Sequence, residues 1–125
     1  MASAVTWFEI PCSDFERGRR FYETVLGVAL VDMAAPGMKM ASFPADWQKD
    51  EIGGALVAGQ NLKPSVDGTT VYLRGDPDLQ VVLDRVEAAG GGIVMPKTKI
   101  PMEGSGYFAQ FIDSEGNRVG VTSMG

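Results

Sequence analysis

The sequence contains no histidine and only one cysteine, Cys12. Without histidine, the chain has no imidazole to ligate a transition metal or to exchange protons near neutral pH. One cysteine cannot form an internal disulfide, and Cys12 has no histidine to act as its base. We therefore expect Cys12 to be a buried, inert thiol rather than a nucleophile.

Positive charge is also scarce, with 11 Lys and Arg against 16 Asp and Glu, a formal net charge of −5 and a pI near 4.6. Nucleic acid and anionic membrane surfaces both require a clustered positive field, so we expect neither as a partner. No apolar run approaches the ~20 residues that span a bilayer. The first residues show no basic region followed by an apolar stretch, and together with the single cysteine this predicts a cytoplasmic protein.

What the chain does contain is a repeated strand–helix unit. In the first half, the pattern predicts a strand over Val5–Ile10 and a helix from about Asp14 to Leu26. Ser13 and Glu16 have the spacing of a capping box at the start of that helix, and Gly27 is a natural C-cap.

The second half repeats this order. We predict a strand over Thr69–Arg74, then a helix with Asp76 as N-cap and Pro77 at its first position, ended by the glycines at 90–92. The other predicted strands are Val28–Met33, Met38–Phe43, Ile52–Val57, Ile93–Lys97, Tyr107–Asp113 and Arg118–Thr122.

The predicted fold class is α+β, with two βαβββ modules whose curved, mixed, mostly antiparallel sheets form a cleft. A single domain of residues 1–125 would divide into a first module at 4–58, a linker at 59–68 and a second module at 69–124. Two similar modules packed together place a cleft where they meet, which is a natural site for a small molecule.

Three segments carry a resemblance to a known family. They are the helix Asp14–Gly27 with its FY…LG ending, the segment 85–91, and the turn Asp113–Arg118, which reads D-S-E-G-N-R. The chain resembles the vicinal oxygen chelate superfamily, the group of glyoxalase I, bleomycin-resistance proteins and extradiol dioxygenases. The resemblance implies paired βαβββ modules and a homodimer. It says little about activity, because this fold carries many chemistries.

Metal-dependent members of that family hold their ion with His, Gln or Glu side chains on four strands. The resemblance places those four positions on Trp7, on Thr70 or Val71, near Gly54, and on Gly120. None of these side chains ligates a divalent cation. We therefore predict no metal and no cofactor.

The first strand is expected to direct Trp7 and Glu9 into the cleft. Trp7 is interpreted as a stacking surface for a planar ligand or, alternatively, as a core residue that fills the space of a metal. Glu9 is the candidate acid–base residue, and the alternatives are an ion pair with Arg74 or a position at the solvent-exposed rim. Arg74 itself could hold a carboxylate or phosphate of a ligand, or could be a structural partner of Glu9 or Asp76.

The fifth strand adds Thr70 and Tyr72 to this set, and Tyr107 is a further candidate. Either tyrosine could orient a ligand or donate a proton, although half-buried tyrosines are common in curved sheets. The predicted ligand-binding residues are Trp7, Glu9, Thr70, Tyr72, Arg74 and Tyr107, with Glu9 and Tyr72 as the catalytic candidates.

The leading hypothesis is a metal-free protein that binds a small molecule in the hollow of its curved sheets, with a second copy of the chain as partner. An alternative is a lyase or isomerase that uses Glu9, Tyr72 and Arg74 for acid–base chemistry. A further alternative is an unusual divalent-metal site built from carboxylates such as Glu9, Glu51 or Glu103.

Overall fold

The computed structural model describes residues 3–125, apart from the side chain of Trp47. Two βαβββ modules follow one another along the chain, as predicted. The first contains β1 (Trp7–Pro11), α1 (Phe15–Leu26), β2 (Val31–Met33), β3 (Lys39–Ser42), a one-turn helix (Trp47–Lys49) and β4 (Gly53–Ala58). The second contains β5 (Tyr72–Arg74), α2 (Gln80–Val86), β6 (Gly92–Lys99), β7 (Tyr107–Ile112) and β8 (Arg118–Ser123).

Each module forms its own four-stranded sheet with the same topology. Sheet A has the order β1-β4-β3-β2, and sheet B has the order β5-β8-β7-β6. The first and last strands of each module pair in parallel, and the other pairs are antiparallel. The predicted fold class is therefore confirmed. Within the described part of the chain, neither α1 nor α2 is long and apolar enough to cross a membrane.

Alternation along the strands separates two faces of each sheet. The inner faces bury apolar side chains against the helices. They include Ile10, Ala41 and Leu56 in sheet A, and Leu73, Ala109, Phe111, Val119 and Val121 in sheet B. The opposite, outer faces carry the intervening residues, among them Trp7 and Glu9 in β1, Tyr72 and Arg74 in β5, and Phe108 and Gln110 in β7.

A single hydrophobic core joins the two modules, because α1 contacts both its own sheet and the second module. Phe21 packs edge-on against Tyr22 and also lies 5.8 Å, centroid to centroid, from Phe111 of β7. The fully buried Tyr22 hydroxyl donates a 2.5 Å hydrogen bond to Asp113. Burial and the nearby Asp113 carboxylate raise the pKa of Tyr22 well above its ordinary value.

The start of α1 differs from the prediction. Asp14 is the N-cap, and its carboxylate accepts a hydrogen bond from the Arg17 N–H. Ser13 does not cap the helix, because its own N–H and hydroxyl both donate to Glu115 of the second module. The far end is as predicted, with Gly27 in the left-handed conformation at φ 66°.

The start of α2 was predicted too early. The helix begins at Gln80, whose N–H donates to Asp78. Asp76 is not its N-cap, because its carboxylate accepts the Met124 N–H at 2.7 Å and a guanidinium N–H of Arg74 at 2.9 Å. These bonds tie the segment before α2 to the end of β8 instead.

β2 also begins later than predicted, at Val31 rather than Val28. The Leu30 N–H donates to Glu23 of α1, and the Leu30 carbonyl accepts from Arg19 of the same helix. Hydrogen bonds to helix side chains therefore replace the strand ladder at this point.

Candidate functional site

The outer face of each sheet presents an aromatic residue and, two positions later, a charged one. In β1 these are Trp7 and Glu9, and in β5 they are Tyr72 and Arg74. The two aromatic residues have equivalent places in the two modules, because each lies beside a glycine of the neighbouring parallel strand. The register pairs Trp7 with Gly53 and Tyr72 with Gly120. The charged residues that follow have opposite signs.

Tyr72 is held against sheet B from two sides. Its ring covers Gly120, where a Cβ atom would overlap the ring carbons. Its hydroxyl accepts a 2.8 Å hydrogen bond from the Gln110 amide, and the Phe108 ring lies edge-on at 6.4 Å. Even so, 44% of Tyr72 is exposed to solvent. The result is an oriented aromatic surface that is open to a ligand.

Arg74 lies at the end of β5 with 84% of its side chain exposed. One guanidinium nitrogen pairs with Asp76, which leaves other donors available for an anionic group. The hydrogen bonds from the Met124 N–H and from Arg74 lower the pKa of Asp76. Arg74 is therefore the partner of Asp76, one of the two structural partners considered from the sequence.

Trp7 and Glu9 are joined to each other by a hydrogen bond. The Trp7 indole N–H donates to a Glu9 carboxylate oxygen at 3.0 Å. Trp7 is partly buried and Glu9 is exposed. No ion pair between Glu9 and Arg74 is formed in the described structure, so that alternative is not observed.

The structure does not bring Tyr107 to the face that carries Tyr72. Tyr107 alternates with Ala109 and Phe111, so it packs against the core side of β7. The Lys97 ammonium lies 4.6 Å from the centre of its ring and pairs with Asp78. Thr70 is partly buried and precedes β5, outside its ladder.

Sequence reasoning missed two residues beside Tyr72, Phe108 and Gln110. The signal was available in the alternation of β7, Tyr-Phe-Ala-Gln-Phe-Ile, where Ala109 and Phe111 occupy the buried positions. The two positions between them face outward with Tyr72. Tyr107, the aromatic residue predicted from the sequence, lies on the core side of β7, one residue away from the outward-facing Phe108.

Two cavities are described, and neither is lined by Trp7 or Tyr72. One, of about 620 Å³, lies beside the one-turn helix and is lined by Asp46, Gln48 and Glu51 together with Pro44 and Ala45. The other, of about 210 Å³, includes Glu9 but neither Trp7 nor Tyr72. Neither of these cavities of the single chain is therefore a cup lined by Trp7 and Tyr72.

The positions that the resemblance assigns to a metal do not fit one. Gly120 is covered by the Tyr72 ring and Gly54 by the Phe8 ring, so neither position has room for a ligating side chain. Gly54 also faces the core, and its outer-facing neighbours Gly53 and Ala55 carry no donor. Across the described residues, no group of three or more His, Cys, Asp or Glu side chains is placed to hold an ion. The proposed set Glu9, Glu51 and Glu103 is therefore not brought together.

Cys12 is buried in the core, and its thiol lies 3.3 Å from the Val57 carbonyl. Burial, and then the nearby carboxylates of Glu115 and Asp113, raise the pKa of Cys12 to about 12. The thiol is therefore protonated near neutral pH, as expected for an inert cysteine.

A model of the Glyoxalase/Bleomycin resistance protein/Dioxygenase superfamily matches residues 4–121. No curated protein matches the chain.

Solved structures share the fold at low sequence identity. A glyoxalase/bleomycin resistance protein from Albidiferax ferrireducens T118 superposes with a TM-score of 0.67 at 19% identity, covering 97% of this chain and 98% of that one. TnmS3, an antibiotic binding protein from Streptomyces sp. CB03234, gives 0.66 at 23% identity, covering 99% and 98%. A glyoxalase I mutant from Zea mays gives 0.70 at 19% identity, with 94% of this chain covering only 44% of that one.

Proposed function

Since the chain belongs to the Glyoxalase/Bleomycin resistance protein/Dioxygenase superfamily, we propose that it binds a small planar organic molecule on the outer face of sheet B without a bound metal. The observation that carries this proposal is the Tyr72 ring, which is fixed over Gly120 and by Gln110 while 44% of the residue remains exposed. A pre-oriented aromatic ring binds a flat ligand at little cost in conformational entropy.

The neighbours of Tyr72 favour a ligand that is aromatic at one end and polar at the other. Phe108 extends the apolar surface beside the Tyr72 ring. Arg74 follows Tyr72 by two residues on the same face and offers donors for a carboxylate, phenolate or phosphate oxygen. Among proteins that share this fold, TnmS3 is an antibiotic binding protein, which makes aromatic antibiotics a natural first group to test.

The proposal extends to a homodimer in which sheet A of one copy faces sheet B of the other. Each outer face offers one aromatic wall, and neither described cavity of one chain is lined by Trp7 or Tyr72. Pairing the faces between copies would place Glu9 opposite a partner arginine and Trp7 opposite a partner tyrosine, with complementary charge. Light scattering coupled to size exclusion should give twice the mass of one chain, and a monomer at micromolar concentration would argue against this assembly.

The binding test is a thermal-shift screen of planar aromatic antibiotics and metabolites, followed by calorimetry of each hit with variants. A ligand at ~100 times its dissociation constant should add about 2.7 kcal/mol of stability. Tyr72→Ala should abolish the shift, whereas Tyr72→Phe should retain most of it, since the ring carries the contact. Val81→Ala, an exposed apolar position on α2, is the matched control. Equal binding by wild type and Tyr72→Ala would reject the site.

The metal-free part of the proposal has its own measurement. Protein purified without a polyhistidine tag should contain no stoichiometric transition metal, and a chelator should leave its melting temperature unchanged. The support is the filled space at Gly54 and Gly120 and the lack of a donor cluster in the described part of the chain. One equivalent of firmly held zinc, nickel or iron would overturn it.

A further inference from the structure

The cavity of about 210 Å³ lies at the junction of the two modules and is separate from the Tyr72 surface. We call it the junction cavity. Its lining includes Pro11 at the end of β1, Val71, Arg118 at the start of β8, and residues of the linker segment 63–69. Four of its lining residues are charged: Glu9, Lys63, Asp67 and Arg118.

The walls of the junction cavity are fixed by hydrogen bonds through Asn117. The Asn117 amide nitrogen donates to the Pro11 carbonyl at 2.7 Å, and its amide oxygen accepts the Ser65 N–H at 3.0 Å. The Arg118 N–H donates to the Ser65 carbonyl. Ser65 and Asp67 close a turn through two further hydrogen bonds. The linker is thus held in place over β8, and the cavity is formed before any ligand arrives.

Arg118 is the unusual member of this set. Its Nε atom is buried and has no hydrogen-bond partner. A guanidinium stays charged at any physiological pH, and a buried charged donor without an acceptor is costly. Such a group in a native protein calls for an explanation, and a water, an ion or a functional role at that place are the usual ones.

Arg118 has no ion-pair partner among the residues that line the junction cavity. None of the four charged side chains of that lining forms an ion pair within the described structure. Two basic and two acidic residues therefore line one small space without pairing, and the Glu9 carboxylate also accepts the Trp7 indole N–H. This charge pattern matches a molecule that carries both signs, and the two carboxylates disfavour a dianion such as phosphate.

We propose that the junction cavity binds a small zwitterion, whose carboxylate accepts hydrogen bonds from Arg118 and whose ammonium group lies beside Asp67. A volume of about 210 Å³ holds roughly seven water molecules at ~30 Å³ each. A compact amino acid is of that size.

The test uses a matched series of probes: 4-aminobutanoate with both charges, butanoate with the carboxylate alone, butylamine with the ammonium alone, and inorganic phosphate. The readout is the ¹⁵N–¹H correlation of the Arg118 Nε–Hε group, identified by its loss in Arg118→Met. 4-Aminobutanoate should move this signal, butanoate should do so at several-fold higher concentration, and butylamine should leave it in place.

Variants separate the two ends of the ligand. Arg118→Met should weaken binding of 4-aminobutanoate by tenfold or more, as expected for losing a charged hydrogen bond, and Arg118→Lys should lose less. Asp67→Asn should lower the affinity for 4-aminobutanoate to the affinity that the protein has for butanoate. Lys99→Met, an exposed charge on β6 outside the cavity, is the matched control and should bind as wild type.

Three results would overturn the proposal. The first is no response of the Arg118 signal to 4-aminobutanoate up to ~50 mM, a concentration that detects millimolar dissociation constants. The second is phosphate binding as tightly as the zwitterion, which would indicate a simple anion site. The third is an equal loss of binding in Lys99→Met, which would indicate general attraction by positive charge. Circular dichroism of Arg118→Met and Arg118→Lys establishes that both variants are folded.

Discussion

At the scale of single residues, the buried carboxylate of Glu115 holds together the boundary between the two modules. It accepts hydrogen bonds from the Ser13 and Asp14 N–H groups and from the Arg17 guanidinium, with 2.7 Å for Asp14 and 2.6 Å for Arg17 Nε. Its side chain is fully shielded from solvent. Burial opposes its charge, but the hydrogen bonds from Arg17, Asp14 and Ser114 prevail and lower the pKa of Glu115 from its ordinary value.

Replacing Glu115 with Gln should destabilise the protein by on the order of 2 kcal/mol, because an amide cannot serve all of these donors. Urea unfolding of Glu115→Gln beside Glu16→Gln measures this loss. Glu16 lies exposed in the first turn of α1 and tests for a general effect of charge removal. Equal stability of the two variants would contradict the role given to Glu115.

The same residue predicts a dependence on pH. Because the folded-state pKa of Glu115 lies below its unfolded value, its stabilisation is complete above the unfolded pKa and is lost as the pH falls through the folded value. The stability difference between wild type and Glu115→Gln should therefore shrink below about pH 4. Unfolding midpoints measured from pH 7 to pH 3 test this, and a constant difference would contradict it.

Gly120 is the residue on which the position of Tyr72 depends. In Gly120→Ala the new methyl group would overlap the Tyr72 ring, so the ring must leave its place and release Gln110. Ligand binding should fall as it does in Tyr72→Ala, while circular dichroism remains that of the folded protein. Gly92→Ala, where a Cβ meets no neighbour, is the control. Unchanged binding by Gly120→Ala would show that the exposed ring is not the contact surface.

At the scale of elements, local patterns predicted the type and order of helices and strands but not all of their starts. The amphipathic stripe and Gly27 located α1 well, because both signals lie within the helix itself. Ser13 and Asp76 both had the right residue type for an N-cap. Their groups are instead engaged by Glu115 and by Met124, which are distant in sequence. A single sequence carries no signal for such long-range partners.

For the candidate site too, local patterns predicted some features and missed those that depend on distant residues. Strand alternation correctly put Tyr72 and Arg74 on the face opposite Leu73. It could not show that Glu9 would bond Trp7 rather than Arg74, since that depends on how the two sheets are arranged. The strand that carries Tyr107 was predicted, but the core-facing position of Tyr107 within it was not.

The capping of α1 can be tested at this scale. Asp14→Ala should cost about 1 kcal/mol, since the Arg17 N–H loses its acceptor at the helix start. Glu16→Ala should cost clearly less, because Glu16 is not part of a capping box in this structure. Thermal unfolding of both variants measures the difference. A larger loss of stability in Glu16→Ala than in Asp14→Ala would favour the capping box predicted from the sequence.

At the scale of the whole molecule, the two modules share one core and are expected to unfold together. Phe21 of α1 contacts Phe111 of β7, and its neighbour Tyr22 bonds Asp113. Phe21→Ala should cost about 3–5 kcal/mol, the usual range for a buried aromatic residue. Hydrogen exchange should show equal loss of protection in sheets A and B, and loss confined to one sheet would mean that the modules are independent. Val31→Ala, at an exposed position, is the control.

The contacts around Glu115 also make the two halves of the molecule different from each other. The first half supplies the donors Ser13 and Arg17, and the second half supplies the carboxylate that receives them. A chain assembled from two first halves would have these donors with no acceptor, and one assembled from two second halves would have the acceptor alone. Although the two halves repeat the same topology, their hydrogen-bonding groups at this contact are complementary, with donors in the first half and the acceptor in the second. Neither half can therefore replace the other.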